Sequence, residues 1–480
     1  MAISRRGLLG SAALPALCGG GRPKNVLFLM SDQHRPWALS ADAHPQARTP
    51  ALDSLARSGL RFQHAYCANP ICGPARASIW TGLYTHHHRV TANEVLWPVG
   101  ATTIGDSFRA AGYHTAAIGK MHFADPHGHG FDYRLDFNDW YQYLGPKAKL
   151  HADEVGRSFP GDGHPQIRSL WRGIDPWKGS YEPDGREGWT HLGRPSQLPE
   201  ADHFDSFVAR ESIEYLKRYA ARGPFLLVTS FLKPHQPFMP AERFAQMYRA
   251  EDMRLPESWG KADLAATPEY VRRRIRENLL TPELLDPRKA LQRIASYYGC
   301  LAQMDSCVGA VLRALRQMGL EEDTIVVYTS DHGEMLGEHA LWQKFVFYES
   351  SVGVPLIVRA PGVTAAGGKC VTPVSHVQLA PTLAELCGVK PVADSDGESL
   401  VPLLREPART VAAPVHAHYD LGTPKPKAMV RRGDWKYCHY TDDTPELFNL
   451  RDDPQEMRNL AVSPAWRGQR DELRSLIIGL

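Results

Sequence analysis

The order of apolar runs along the chain predicts an α/β fold: a mostly parallel sheet sandwiched by helices, with a small antiparallel sheet at the C-terminal end. Three observations carry that reading. Short apolar runs recur, and each one ends in a polar cluster. Helical stretches separate these runs. The pattern then changes to short alternating strands near the end of the chain. The first run, Asn25 to Met30, is continuously apolar and stops at Ser31-Asp32-Gln33, as a strand buried on both faces does. His114 to Ile118 leads to Gly119-Lys120-Met121-His122, and Phe225 to Ser230 leads through Phe231 and Leu232 to Lys233-Pro234-His235. Thr324 to Thr329 leads to Ser330-Asp331-His332-Gly333. Helices are expected at Pro50 to Ser58, Thr103 to Ala111 and Leu291 to Met318. Open sheets of this kind bind ligands beyond the carboxyl ends of their strands, where every one of these polar clusters falls.

From Asp394 the sequence reads as a separate subdomain, residues 394–480, after a main domain of 23–393. Its strands are Ala428 to Arg431, Trp435 to Tyr440 and Glu446 to Leu450, parted by Gly433-Asp434 and Thr441-Asp442-Asp443 and closed by a terminal helix. Residues 124–198 carry no clear periodicity and hold Trp140, Trp171, Trp177 and Trp189. Such an insertion is either a functional loop whose rings stack on a sugar or aryl group, or one anchored to the surface by them.

The chain's 480 residues and ordinary balance of apolar and charged residues suffice for one large domain and one smaller one. A net charge of +2 implies neither a nucleic-acid arm nor a polyanion surface by bulk charge alone. Residues 1–22 open with Arg5-Arg6 and an apolar stretch to Leu17, about half the length that spans a bilayer. They read as an export signal, the paired arginines resembling the twin-arginine type that carries folded proteins to the periplasm or beyond. Leu17 is bulkier than lipid attachment at Cys18 favours, and no transmembrane segment is expected. The cysteines match no zinc spacing; Cys370 and Cys387 either pair or remain buried thiols.

The densest signal is Cys72-Gly73-Pro74-Ala75-Arg76. Pro74 suits the first turn of a helix, which places Cys72 where unpaired N–H groups favour an anion. Arg76, one turn in, adds a planar donor fork suited to tetrahedral oxyanions. A plain buried cysteine at a helix start is the alternative. Asp32 and Asp331, with Gln33 and His332, form a ligand set for a divalent cation. Singly, each aspartate would be a cap or turn residue; with Cys72 on a third element, a metal site is the better reading. Lys120 and His122 would share one face of an extended segment. Pro234 holds its predecessor extended and aims His235 at the sheet's edge. His86-His87-His88, His127 and His129 are not read as ligands.

These motifs resemble type I sulfatases, the formylglycine-dependent branch of the alkaline phosphatase superfamily. The likeness covers 25–121, 224–238, 324–362 and 428–460, including Lys344 and the turn at Asp453-Pro454. The family's signature usually has serine where this chain has Ala75. The resemblance implies an alkaline-phosphatase-like fold and a Cys72 oxidised to formylglycine by a formylglycine-generating enzyme. It implies that Asp32, Gln33, residue 72, Asp331 and His332 hold calcium, or else magnesium or manganese. A hydroxyl of the hydrated aldehyde then attacks sulfur. His235 and Lys344 serve the leaving oxygen, His122 takes the proton that expels sulfate, and Arg76 and Lys120 hold anionic groups. Gln33 and His332 match the branch that contains choline sulfatases and phosphonate monoester hydrolases, and iduronate sulfatase shares the aspartate–histidine pair. The function implied is hydrolysis of a carbohydrate or small-molecule sulfate ester. A phosphonate monoester or phosphodiester hydrolase is the alternative. A non-catalytic glycan-binding protein would be expected to lack Cys72, Asp331 or His235, and all three are present.

Overall fold

The protein is described by a computed structural model over residues 24–98, 100–123, 127–150, 193–260, 265–279 and 286–480. The expected export signal and Trp171, Trp177 and Trp189 lie outside the described residues. The main sheet is built from β1 (Asn25–Asp32), β2 (Leu60–Tyr66), β3 (His114–Gly119), β4 (Tyr133–Leu135), β5 (Phe225–Pro234), β6 (Thr324–Ser330), β7 (Gly353–Arg359), β8 (Gly368–Cys370) and β9 (Val374–Ser375). Its order is β4-β3-β5-β1-β6-β7-β2-β8, with β9 also on β2. Only the pairings of β7, with β6 and β2, are antiparallel.

The continuous apolar runs are explained by burial on both faces. Val26, Phe28 and Met30 point into one core, with α2 (Cys72–Thr81), the helix that follows α1 (Pro50–Ser58) in the chain, and the Leu379–Cys387 helix. Leu27 and Leu29 point into the other, beneath the helices Pro50–Ser58, Phe204–Tyr219 and Pro287–Gln317. Trp80 of α2 packs edge-on against Phe28 at 5.1 Å. The three expected helices are all found. Thr103 caps the middle one, exchanging hydrogen bonds with Asp106.

Patterning passes over β7, whose run contains Pro355. A proline lacks the N–H that a central strand must donate. In the sheet, β2 is irregular between Phe62 and Ala65, and the paired residues of β7 skip from Leu356 to Val354. Pro355 therefore falls where the ladder demands no donor.

The C-terminal sheet runs β10 (Val415–Tyr419), β11 (Lys427–Arg432), β12 (Trp435–Tyr440) and β13 (Glu446–Asn449), antiparallel throughout. Its first strand is additional to the expected three. Leu473 of the terminal helix covers Val430, Tyr437 and Leu447 on one face. On the other face Met429, Cys438 and Phe448 join the main sheet's core. No disulfide joins Cys370 to Cys387, and both are buried. Among the described residues no helix is long and apolar enough to cross a membrane.

Candidate active site

Sheet register assembles the site. Ser31 on β1 pairs with Ser330 on β6, which sets Asp32 and Gln33 beside Asp331 and His332. On the other side of β1, Asp32 pairs with Pro234, one residue before His235. Beyond β5, Gly119 of β3 pairs with Ser230, which delivers Lys120. Gly119 has φ of 106°, and a Cβ there would stand 1.9 Å from the Ser230 carbonyl oxygen, so only glycine lets the chain turn at this point. Lys120 and His122 do not share an extended face as expected: β3 ends at Gly119 and His122 has φ of 59°. The turn still directs both towards Cys72: Lys120 Nζ approaches its sulfur to 3.8 Å, and His122 is among the groups that lower the thiol.

Ligand atoms of Asp32, Cys72, Asp331 and His332 all lie within 4.8 Å of one another, and the four residues are buried. The Cys72 sulfur is 3.0 Å from His332 Nε2, 3.5 Å from Lys344 Nζ and 4.0 Å from Asp32 Oδ1. Lys120 pairs with Asp32 at 2.7 Å. Arg76 is fully buried. Its Nε donates to Asp331 (2.8 Å), Nη2 to Asp32 (3.0 Å), and Nη1 to Ser230 and the Lys120 carbonyl. Here Arg76 fixes both carboxylates.

Hydrogen bonding sets the imidazole tautomers. His332 Nδ1 donates to the Gly333 carbonyl (3.0 Å) and His235 Nδ1 to that of Gln236 (2.6 Å), so each ring turns its Nε2 into the site. Burial disfavours a Cys72 thiolate, but Lys120, Lys344 and His332 outweigh it and hold the thiol well below its ordinary value. Burial likewise opposes ionisation of Asp32, yet Lys120, His235 and Arg76 keep it ionised. Asp331 is pushed up by burial and by Asp32. Burial and then Lys344 push His235 down to about 4. For His332 burial is overridden by Asp331, and its value rises. Two carboxyl groups, a sulfur and an imidazole thus converge with two lysines on one point.

This donor set fits a hard divalent cation. Both oxygens of Asp331 and one of Asp32 are held by protein donors, while Asp32 Oδ1 faces the sulfur and both imidazoles at 4.0 Å. Gln33 presents its oxygen to Lys344 (2.7 Å), while its amide nitrogen donates to Gln236 and Glu334.

Several contributors escaped sequence reasoning. Asn93 accepts the Gly73 N–H at 2.8 Å, beside Cys72, from a loop with no periodicity to flag it. Glu334 accepts from the Leu336 and Gln343 N–H groups and so ties down the loop carrying Lys344. Trp140 is fully buried and bonds the Asp202 carbonyl, so it anchors its segment and offers no face to a sugar. His88 bonds Ser78, His87 bonds Asp396, and His129 packs on Phe123 and Trp97.

Residues 24–389 match the family described as Sulfatase, and residues 337–479 match the N-sulphoglucosamine sulphohydrolase C-terminal family. A choline-sulfatase of Rhizobium meliloti is 31% identical over 462 residues, covering 94% of this chain and 84% of the relative. An arylsulfatase of Clostridium perfringens is 30% identical over 473 residues, covering 95% and 93%. The crystal structure of a phosphonate monoester hydrolase from Agrobacterium radiobacter superposes with a TM-score of 0.75 at 26% identity, covering 95% of each chain.

Proposed function

Because the chain belongs to the sulfatase family of the alkaline phosphatase superfamily, and is a sulfuric ester hydrolase, we propose that it acts through a formylglycine at position 72 and one divalent cation. The reading is carried by one observation: the residue 72 side chain stands among carboxylate, imidazole and lysine groups that have no other task in common. Asp32, Gln33, Asp331 and His332 would hold the cation, calcium before magnesium or manganese, which supplies polarisation of an ester oxygen and lowers the cost of negative charge there. Formylglycine supplies a hydrated aldehyde in place of a thiol, a nucleophile that can be regenerated by elimination.

The chain's own groups do the rest. Lys120 and Lys344 flank position 72 with two positive charges, which offset the repulsion between an anionic ester and an anionic nucleophile. Lys344 Nζ and the Nε2 of His235 serve the leaving oxygen, and His122 serves as base for the group that remains on residue 72. Arg76 keeps the two carboxylates aimed inward. The ester is that of a carbohydrate or a small molecule, a reading supported by the N-sulphoglucosamine sulphohydrolase C-terminal match and the choline-sulfatase relative, and the signal-like N-terminus supports a location outside the cytoplasm.

Intact-mass measurement of the exported protein tests the modification: the aldehyde form lacks one sulfur and two hydrogens and gains one oxygen relative to the thiol. A mass that shows only the thiol in an active preparation refutes it. A second reading, hydrolysis of phosphonate monoesters, is supported by Gln33 and His332 together with the structural match to the Agrobacterium enzyme. Relative kcat/KM on an aryl sulfate and an aryl phosphonate monoester decides between them.

A further inference from the structure

On the sheet face opposite α2, a cavity of about 420 Å³ opens between the Pro50–Ser58 helix and the Pro287–Gln317 helix. Arg48, Arg243, Arg313 and Arg316 surround it, and Phe244 and Met247 form part of its floor. All four arginines are exposed. Arg243 pairs with Glu200 and Arg316 with Glu321, but these are surface ion pairs worth little and readily exchanged for another anion. Arg48 lies over the Tyr248 ring at 5.2 Å, and Arg313 folds back along its helix above Gly309. Among the described residues neither is in an ion pair with a carboxylate. The acid lining the cavity, Asp305, is buried, and its two oxygens accept the Ala51 and Leu52 N–H groups at 3.0 and 2.9 Å. The rim is therefore locally cationic on a chain whose net charge is only +2.

Guanidinium forks bind sulfate and carboxylate groups bidentately, and an apolar floor suits the face of a sugar ring. We propose that this cavity is a second, non-catalytic site that holds a sulfated polysaccharide chain. The proposal rests on the sulfatase reading for the identity of the polyanion, though not for the binding itself.

The test uses the full chain, with dextran sulfate as probe and uncharged dextran as control, at fixed ionic strength. The wild type should bind dextran sulfate, and the double variant Arg48→Ala/Arg313→Ala should bind about tenfold more weakly for the loss of two charge-assisted contacts. Turnover of a small aryl sulfate should be the same in both, since neither arginine belongs to the catalytic centre. Failure of the wild type to bind, or equal binding by the double variant, overturns the proposal. A chain that binds through these arginines yet hydrolyses no sulfate ester keeps the binding site and overturns the hydrolase reading instead.

Discussion

Two clusters of buried charge can be set side by side, one at the carboxyl ends of β1 and β6, the other beneath the small sheet. In the second, Lys436 is fully buried. It donates to the Phe347 carbonyl and to Glu349, both at 2.8 Å, and pairs with Glu456. Glu349 also accepts from the Tyr66 hydroxyl at 2.6 Å and pairs with Arg431. Glu446 next to it receives hydroxyls from Tyr348 and Tyr440. There, donors meet acceptors. At the first cluster the Cys72 sulfur, a carboxylate oxygen and an imidazole nitrogen face each other across 3.0 to 4.0 Å, with Lys120, Lys344 and Arg76 around them. Three atoms able to ligate a cation converge there on one point. Buried charge is common to both; a converging ligand set belongs to one. That is the mark of a working site.

The sharpest way to break the comparison is Cys72→Ala. Turnover of an aryl sulfate should fall by on the order of 10⁴-fold, as for loss of a nucleophile elsewhere, with an unchanged circular dichroism spectrum. Substantial residual turnover would remove residue 72 from the chemistry. Next comes Asp331→Asn, or exhaustive chelation of the wild type. Either should lower activity by about 10²-fold or more, because metal sites tolerate loss of a ligand poorly. Chelation should also lower Tm, since a ligand that binds only the folded state stabilises it. A Tm that does not change would mean that no ion is resident.

Lys436→Met tests the saturated cluster. It leaves Glu456 buried without its cation, and Glu349 with Arg431 alone, and should cost about 3–5 kcal/mol in urea unfolding. The metal affinity of the folded variant should stay near wild type, which would confirm that the two clusters do different work. The smallest effect is expected from Asn93→Ala. It frees one N–H beside residue 72 and should reduce kcat by about tenfold at most, at a stability cost of about 1 kcal/mol. A larger loss would make Asn93 a direct partner of the substrate.

How much was legible follows from how each part is encoded. β1, β3, β5 and β6 announce themselves because both their faces are buried, so apolar residues run without a break. Asp32, Asp331 and His332 are visible as polar stops at the ends of such runs. β7 is obscured because Pro355 contradicts local propensity and is accommodated only by an irregularity in its neighbour. Asn93 sits on a loop whose position depends on Gly73 and leaves no trace in spacing. The Lys436 network joins residues from four separate segments, Tyr66, Glu349, Lys436 and Glu456 among its members, and no local pattern foretells their meeting. The cationic rim is likewise scattered over three elements.

Cys72 is only 2% exposed, at the start of a helix in which every residue is buried. No second protein can grip that side chain once the strands have closed around it. The proposed oxidation would therefore have to reach the segment while the polypeptide is still open, in a contest between two clocks. If so, slower collapse would yield more competent enzyme, and a variant that folds faster would be better folded and less active.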